Sequence, residues 1–460
     1  MGSVAGVGWS DRTLARTAVV ITVAYLLATT WAMQYTSYDV WGALIVAPVI
    51  GVLLTTVIRR TFTGSLVELR RAAFIGIGAK LVGTLTRYWV AFDAYGGLSD
   101  SSEYHRVGRV IAGEFHRGEL SILQMLPHTT GTRSVGEITG VLYAAAGSSK
   151  LAGFLWFAAM GFTGVVLMVK AACISIPQFA RHRFAWLCFL MPSVVFWPSS
   201  IGKEAVMSLF LGAISLGAAR LFKGGSLAVA LAWIIGGSLG AALVRPHVAA
   251  IWLGAVLIAL LWTVLSGRVH SLRGDRRIVL AALAAAGLGA LVMVARATIG
   301  LLSSPGEETN SLSTRVSDIF QLTADRSNGG GSQLSLVSIS GPLDYPGAIL
   351  RTLTRPLLFE ATNLATLLPA LEMTFLVGLA LISWRRWCSL PSLLRQHPFV
   401  LLCFMQCVMV GIAFSNFANL AILVRQRSLV LPSMLVLVCL PEWQPKARRL
   451  KRTRQLAGAH

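Results

Sequence analysis

Charged side chains that could bind or transform a ligand lie at the ends of long apolar runs. Asp100 follows one run in the segment FDAYGGLSDSSEYH, and Lys203 and Glu204 join two others in FWPSSIGKEA. Guanidinium and ammonium groups suit phosphate oxygens, whereas carboxylates suit sugar hydroxyls or the removal of a proton from an attacking hydroxyl. The other charged residues at such ends are Asp93, Arg245, His247, Arg351, Arg355, Glu360, Glu372, Arg425 and Arg427.

The apolar runs themselves predict an all-α polytopic membrane protein. Hydrophobic residues make up 55% of the 460 residues, and the mean hydropathy is +0.69, a composition that leaves a soluble protein too little polar surface. We expect about twelve transmembrane helices, at roughly residues 14–34, 40–58, 71–93, 150–172, 184–199, 204–222, 226–244, 248–266, 277–297, 363–384, 398–416 and 426–441.

The distribution of charge between these spans predicts the topology. Most of the 40 Lys and Arg fall on one side of the bilayer and most of the 19 Asp and Glu on the other. By the positive-inside rule both termini are cytoplasmic, and the charged span ends face the extracytoplasmic side. The net charge of +21 is therefore a topology signal, and we expect membrane lipids and no nucleic acid as partners.

Two long links on the outer side divide the chain. We predict an N-terminal transmembrane hairpin (1–60), a transmembrane core (61–297) with a first long outer loop (94–149), a second outer loop with an interfacial segment (298–362), C-terminal transmembrane helices (363–445) and a basic cytoplasmic tail (446–460). The first loop contains two helix-like pieces, at 102–117 and 135–147, whose mixture of apolar and charged residues is typical of interfacial helices.

A lipid-linked sugar would satisfy both kinds of charge, because its phosphate lies at the interface and its sugar offers hydroxyls. Two alternatives stay open. A transporter or flippase is favoured by Lys80 and Arg87 inside the third span and by helices rich in small residues. A non-catalytic scaffold is the third interpretation, although it explains neither Asp100 nor the arginines.

From the third span onwards the chain resembles the GT-C superfamily of polytopic glycosyltransferases, which use polyprenyl-phosphate or polyprenyl-diphosphate donors. In that family an acidic residue begins a long first outer loop, and Asp100 in DSSEYH holds this position. The resemblance implies that Asp100 is the catalytic base, with Glu103, Tyr104 and His105 close by. Here the loop follows the third span rather than the first, which requires an added N-terminal hairpin.

Three later segments, FWPSSIGKEA, TRPLLFEATNLATLLPALE and NFANLAILVRQRSLVLP, are similar to those of O-antigen-polymerase-like proteins of exopolysaccharide assembly. That resemblance implies that outward-facing arginines hold a donor diphosphate, with Arg245, Arg355, Arg425 and Arg427 as candidates. The two resemblances differ on whether one sugar or a whole repeat unit is transferred.

The sequence thus predicts an inverting glycosyltransferase of the bacterial cytoplasmic membrane, acting at its extracytoplasmic face in cell-envelope polysaccharide or glycolipid assembly. The partners would be a polyprenyl-linked sugar donor and a saccharide or glycolipid acceptor. We expect no cofactor or bound metal, with a divalent cation at Asp93, Asp100 and Glu103 as the alternative. The expected substrate-binding residues are Glu103, Tyr104, His105, Lys203, Glu204, Arg245, His247, Arg351, Arg355, Glu360, Arg425 and Arg427.

Overall fold

A computed structural model of the chain describes residues 11–121, 131–266, parts of 278–292, 342–361, 364–415, 417 and 419–442. Its longer helices are α1 (Asp11–Tyr35), α2 (Tyr38–Thr61), α3 (Arg70–Trp89), α4 (Asp100–His116), α5 (Thr132–Ala146), α6 (Lys150–Ser175), α7 (Arg181–Leu190), α8 (Pro192–Phe196), α9 (Lys203–Phe222), α10 (Leu227–Val244), α11 (Pro246–Ser266), α12 (Tyr345–Thr354), α13 (Leu364–Ile382), α14 (Leu390–Gln396), α15 (Pro398–Ala413) and α16 (Leu420–Val438). The prediction of an all-helical protein is confirmed.

Within this part of the chain, seven helices are long and apolar enough to cross a membrane: α1 from Ala15, α2, α6, α9, α10, α11 and α16. The pair α14 and α15, bent by 115° at its break, would be an eighth. The membrane character predicted from the sequence is thereby supported. The predicted count of about twelve spans is not confirmed.

The remaining predicted spans differ from a simple membrane helix for local reasons. Helix α3 contains Lys80 and Arg87, which lower its hydropathy. The span predicted at 184–199 is interrupted, because α7 ends at Leu190 and α8 begins with Pro192, which cannot donate a helical hydrogen bond. In helix α13 the apolar stretch Thr366–Ile382 is slightly shorter than the helices counted as spans.

Other predicted segments fall largely or wholly outside the described residues. These are the span at 277–297, described only in parts up to residue 292, the outer loop from 298 to 341, and the basic tail at 446–460.

The start of the last helix was predicted incorrectly. Helix α16 begins at Leu420 rather than at residue 426, and Asn419 caps it by accepting hydrogen bonds from the backbone N–H groups of Ala421 and Ile422. The sequence prediction missed this cap. Arg425 and Arg427 therefore lie inside the helix, on different sides of it, since two residues correspond to about 200° of rotation.

The core of the bundle is built around α6 and α9, which pack along each other. Helix α2 also packs against α6, and α10 packs against α9. Gly164 and Gly212 stand where α6 and α9 cross. A Cβ atom at either position would overlap a backbone carbonyl of the other helix. The absence of side chains thus allows the two backbones to approach closely, as small residues commonly do in membrane helix pairs.

Helices α4 and α5 form a hairpin between α3 and α6, and they correspond to the two helix-like pieces predicted in the first outer loop. Gly108 of α4 and Gly140 of α5 lie at their contact. Helix α4 begins at Asp100, and a π-helical turn (Val90–Ala94) and a short link join it to the end of α3. This connection brings Asp100 to the end of the bundle where α9 begins and α10 ends.

Candidate functional site

A buried carboxylate, Glu204, is the centre of a charged cluster at the predicted outer end of the bundle. It is 1% exposed and lies in the first turn of α9, after the non-helical segment that follows Pro198. Its Oε1 accepts hydrogen bonds from Arg245 Nη2 and from Arg425 Nε, each at 2.6 Å. Charge-assisted bonds of this kind are short and strong, and here they fix both guanidinium groups.

Arg425 joins this buried carboxylate to an exposed one. Its Nη1 donates to Asp100 Oδ2 at 2.8 Å, and the Asp100 side chain is 59% exposed. Arg425 therefore connects α16 and α9 to the first residue of α4. Such a contact between residues 325 positions apart depends on the tertiary fold, and no local motif signals it.

Arg245 makes one more contact within the cluster, and two further residues named from the sequence, Lys203 and His247, lie near it. Arg245 Nη1 donates to Gln426 Oε1 at 2.9 Å, and Lys203 Nζ donates to Thr132 Oγ1 at 2.9 Å, at the start of α5. His247 is the second residue of α11, and its ring centroid lies 6.4 Å from that of Phe414. It interacts electrostatically with Arg245 and Lys203.

Arg87 is a member of the cluster that the sequence analysis assigned to the interior of a span. Its guanidinium carbon lies 5.0 Å from the ring centroids of both Phe196 and Trp197. The group interacts electrostatically with Arg425, Glu204 and Asp100. Four cations, Arg87, Lys203, Arg245 and Arg425, thus meet two carboxylates, and the excess of positive charge suits an anionic ligand.

Four residues near the start of α4 were expected to form one site, and the structure places them in different surroundings: Asp100, Glu103, Tyr104 and His105. Tyr104 lies one turn after Asp100 on the same face of α4, and its pKa is raised to about 12, chiefly by burial and then by the Asp100 carboxylate. Glu103 faces outward and forms an exposed ion pair with Arg106, which lowers its pKa.

His105 is buried between α4 and α5. Its Nδ1 shares a hydrogen bond of 2.8 Å with the Tyr143 hydroxyl. Burial, followed by the nearby Lys150 ammonium, lowers the pKa of His105 to about 4. The histidine is therefore neutral at pH 7, and it packs the hairpin together.

A second group contains Arg355, Glu360, Arg427 and Glu372. Arg355 Nη2 pairs with Glu360 Oε1 at 2.5 Å, and its carbonyl oxygen accepts a hydrogen bond from Nη1 of Arg427, which is 2% exposed. Arg351 lies in α12, just before this group.

Glu372 of α13 binds the start of α8, the short helix that follows the break after α7. Its Oε1 accepts from the Ser193 N–H at 2.8 Å, and its Oε2 accepts a short hydrogen bond from the Ser193 hydroxyl. Lys80 Nζ binds the same short helix, where it donates to the carbonyl oxygens of Val194 and Val195 at 3.1 and 3.2 Å. These contacts satisfy backbone groups that the break in the helix leaves without helical partners.

Within the part of the chain that the structure describes, no three His, Cys, Asp or Glu side chains gather closely enough to hold a metal ion. Comparisons of the chain with protein-family models, with curated proteins and with solved structures find no match.

Proposed function

We propose that this protein is an integral membrane glycosyltransferase that uses a polyprenyl-phosphate- or polyprenyl-diphosphate-linked sugar at the extracytoplasmic face. The observation that carries the proposal is the position of Arg425 between buried Glu204 and exposed Asp100. A fixed cation that can bind phosphate thus lies beside a carboxylate that can accept a proton. Both lie at one end of a bundle of apolar helices, where a lipid tail would stay in the bilayer.

In the proposed reaction an acceptor hydroxyl attacks the anomeric carbon of the donor sugar. Asp100 takes the hydroxyl proton as the new C–O bond forms. The bond between the anomeric carbon and the phosphate oxygen breaks, and the phosphate leaves with the electron pair. Arg425, Arg245, Lys203 and Arg87 would stabilise the negative charge that develops on the leaving group.

The test is transfer from polyprenyl-linked sugar donors to saccharide acceptors by the purified protein in lipid nanodiscs. Asp100→Asn should lower the rate by about 10²–10⁴-fold, as expected for loss of a general base. Arg425→Ala should raise the apparent KM for the donor first. Arg117→Ala is the matched control, because Arg117 forms an exposed ion pair with Glu119 at the far end of α4. Normal turnover by Asp100→Asn would contradict the base assignment.

An O-antigen-polymerase-like enzyme, which joins lipid-linked repeat units, remains an alternative with the same donor chemistry. The same assay separates the two, because a polymerase forms product only when donor and acceptor are both lipid-linked oligosaccharides.

Transport of a lipid-linked saccharide is the second candidate. It is favoured by Lys80, which is 5% exposed and donates to two carbonyl oxygens of α8, the short helix that follows the break after α7. Transporters commonly bind substrates and ions at such broken helices. A flippase would move the labelled lipid-linked sugar across proteoliposome membranes without forming a glycosidic product. Lys80→Met should abolish that movement, whereas an enzyme would show no lipid movement to lose.

A further inference from the structure

On its exposed side, the guanidinium group of Arg425 binds a carboxylate of the same chain. Glu204 holds Arg425 through Nε, so the orientation of the guanidinium group is fixed from the buried side. Its Nη1 donates to Asp100, which is the more exposed partner in this pair. A ligand that arrives from the predicted outer face would therefore meet Asp100 first and find this donor of Arg425 already in use.

Arg87 supplies a second donor near the same place. Its Nε is buried and has no hydrogen-bond partner among the described residues. The aromatic rings of Phe196 and Trp197 hold its guanidinium group, and it feels the charges of both Asp100 and Arg425. A buried donor without an acceptor is costly, and an anion placed between Arg87 and Arg425 would remove that cost.

We propose that Asp100 is the internal occupant of an anion site formed by Arg425 and Arg87, and that the phosphate of the incoming ligand displaces it. The inference rests on the proposed function and adds an order of events to it. Phosphate binding breaks the ion pair between Asp100 and Arg425, and only then does the carboxylate of Asp100 become available to accept a proton. Glu204 keeps Arg425 in position throughout, because its own contacts lie on the buried side.

Asp100 competes with the ligand for Arg425, so removal of the Asp100 carboxylate should strengthen anion binding. The ion pair between Asp100 and Arg425 is weak because Asp100 is exposed, so a substantial fraction of molecules has Arg425 free of Asp100. The apparent affinity for the anion is the intrinsic affinity of the free site multiplied by that fraction. We therefore expect Asp100→Asn to tighten anion binding by about fivefold. A residue that merely supported the structure, or that bound the sugar, would give no such gain.

The experiment measures binding of inorganic pyrophosphate to the full chain in lipid nanodiscs by isothermal titration calorimetry. Asp100→Asn and Asp100→Ala should both bind more tightly than the unaltered protein, and Arg87→Gln should bind about tenfold more weakly, as expected for the loss of a charged hydrogen bond. Glu119→Gln is the matched control, since it removes one negative charge just beyond the end of α4 and breaks an exposed ion pair with Arg117. Its affinity should be unchanged.

The outcomes distinguish this inference from the proposed function. If the protein binds pyrophosphate but both Asp100 variants bind it equally or less tightly, the displacement of Asp100 is wrong, while a donor-phosphate site remains. If Glu119→Gln gains as much as Asp100→Asn, the effect is one of net charge, and the displacement is again wrong. If neither the unaltered protein nor any variant binds pyrophosphate, the anion site itself is wrong, and the proposed function loses its basis. Because the assay requires no turnover, none of these results depends on identification of the sugar.

Discussion

Two groups of buried charge in this protein use similar residues in different ways. Around Glu204, two arginines donate to one carboxylate oxygen, and one of them extends to exposed Asp100. Around Glu372, the carboxylate binds Ser193 of an interrupted helix, and the buried Arg427 donates to a backbone carbonyl. The first group reaches solvent through Asp100. In the second, both oxygens of Glu372 accept hydrogen bonds from Ser193 inside the bundle, and Arg427 keeps one buried nitrogen, Nη2, without a partner among the described residues. We infer that the first group is suited to a ligand and the second to holding the fold.

Loss of the Glu204 carboxylate from the first group should reduce the stability of the protein most. Glu204→Gln leaves the charges of Arg245 and Arg425 without their buried counterion, and we expect unfolding free energy to fall by about 3–5 kcal/mol. Denaturant unfolding of the purified protein in mixed micelles measures this. A loss below about 1 kcal/mol would mean that water or other groups compensate the two arginines, contrary to the burial of Glu204.

Replacement of the Glu372 carboxylate in the second group should lower the free energy of unfolding by less. Glu372→Gln keeps an oxygen that accepts the hydrogen bond from the Ser193 N–H, so we expect a loss of about 1 kcal/mol in the same unfolding measurement. A loss as large as that of Glu204→Gln would show that Glu372 serves mainly as the counterion of Arg427. The distinction between the two groups would then fail.

The hairpin of α4 and α5 contains a buried pair without formal charge, His105 and Tyr143. The pKa of His105 is lowered from 6.5 to about 4, so the unfolded chain binds more protons than the folded protein between these values. Stability contributed by neutral His105 is fully present above pH 6.5 and is lost as the pH falls towards 4. We expect the Tm to drop by a few degrees between pH 7 and pH 5. In His105→Gln this part of the pH dependence should disappear, and an unchanged profile would assign it to another group.

The smallest effect is expected at Glu103, although it stands only three residues from Asp100. Both members of its ion pair with Arg106 are more than half exposed. Solvent screens such pairs, so Glu103→Gln should leave the Tm unchanged within experimental error. A clear decrease would place Glu103 in the structural part of the hairpin.

The sequence was most informative about the features that depend on the length of apolar runs and on charge, which are the positions of the membrane helices and the polar end of the bundle. Long apolar runs predicted the helices α2, α6, α9, α10 and α11 nearly at their observed ends, because a membrane helix needs about 20 apolar residues. The alternating charges also placed Asp100, Lys203, Glu204, Arg245 and Arg425 at one end of the bundle. The structure brings this set together.

Pairing within the set could not be predicted, because it depends on how helices rotate against each other. The sequence grouped Arg427 with Arg425, yet the rotation of α16 turns them to different sides. Arg87 was assigned to the bilayer, and only the fold shows it beside Phe196 and Trp197, with the cluster in electrostatic range. The spacing of charges along a chain thus indicates which end of the bundle is polar, and the tertiary packing decides which charges meet.

In the mechanism proposed above, a lipid-linked phosphate binds at Arg425 in place of Asp100. The most direct measurement is a density map, by cryo-electron microscopy, of the protein in lipid nanodiscs with an added polyprenyl diphosphate. We expect phosphate density in contact with Arg425 and Arg87, a tail that runs into the bilayer, and an Asp100 side chain that no longer contacts Arg425. An intact pair between Asp100 and Arg425 with the lipid bound elsewhere, or a central cavity that opens to both sides of the membrane, would contradict it.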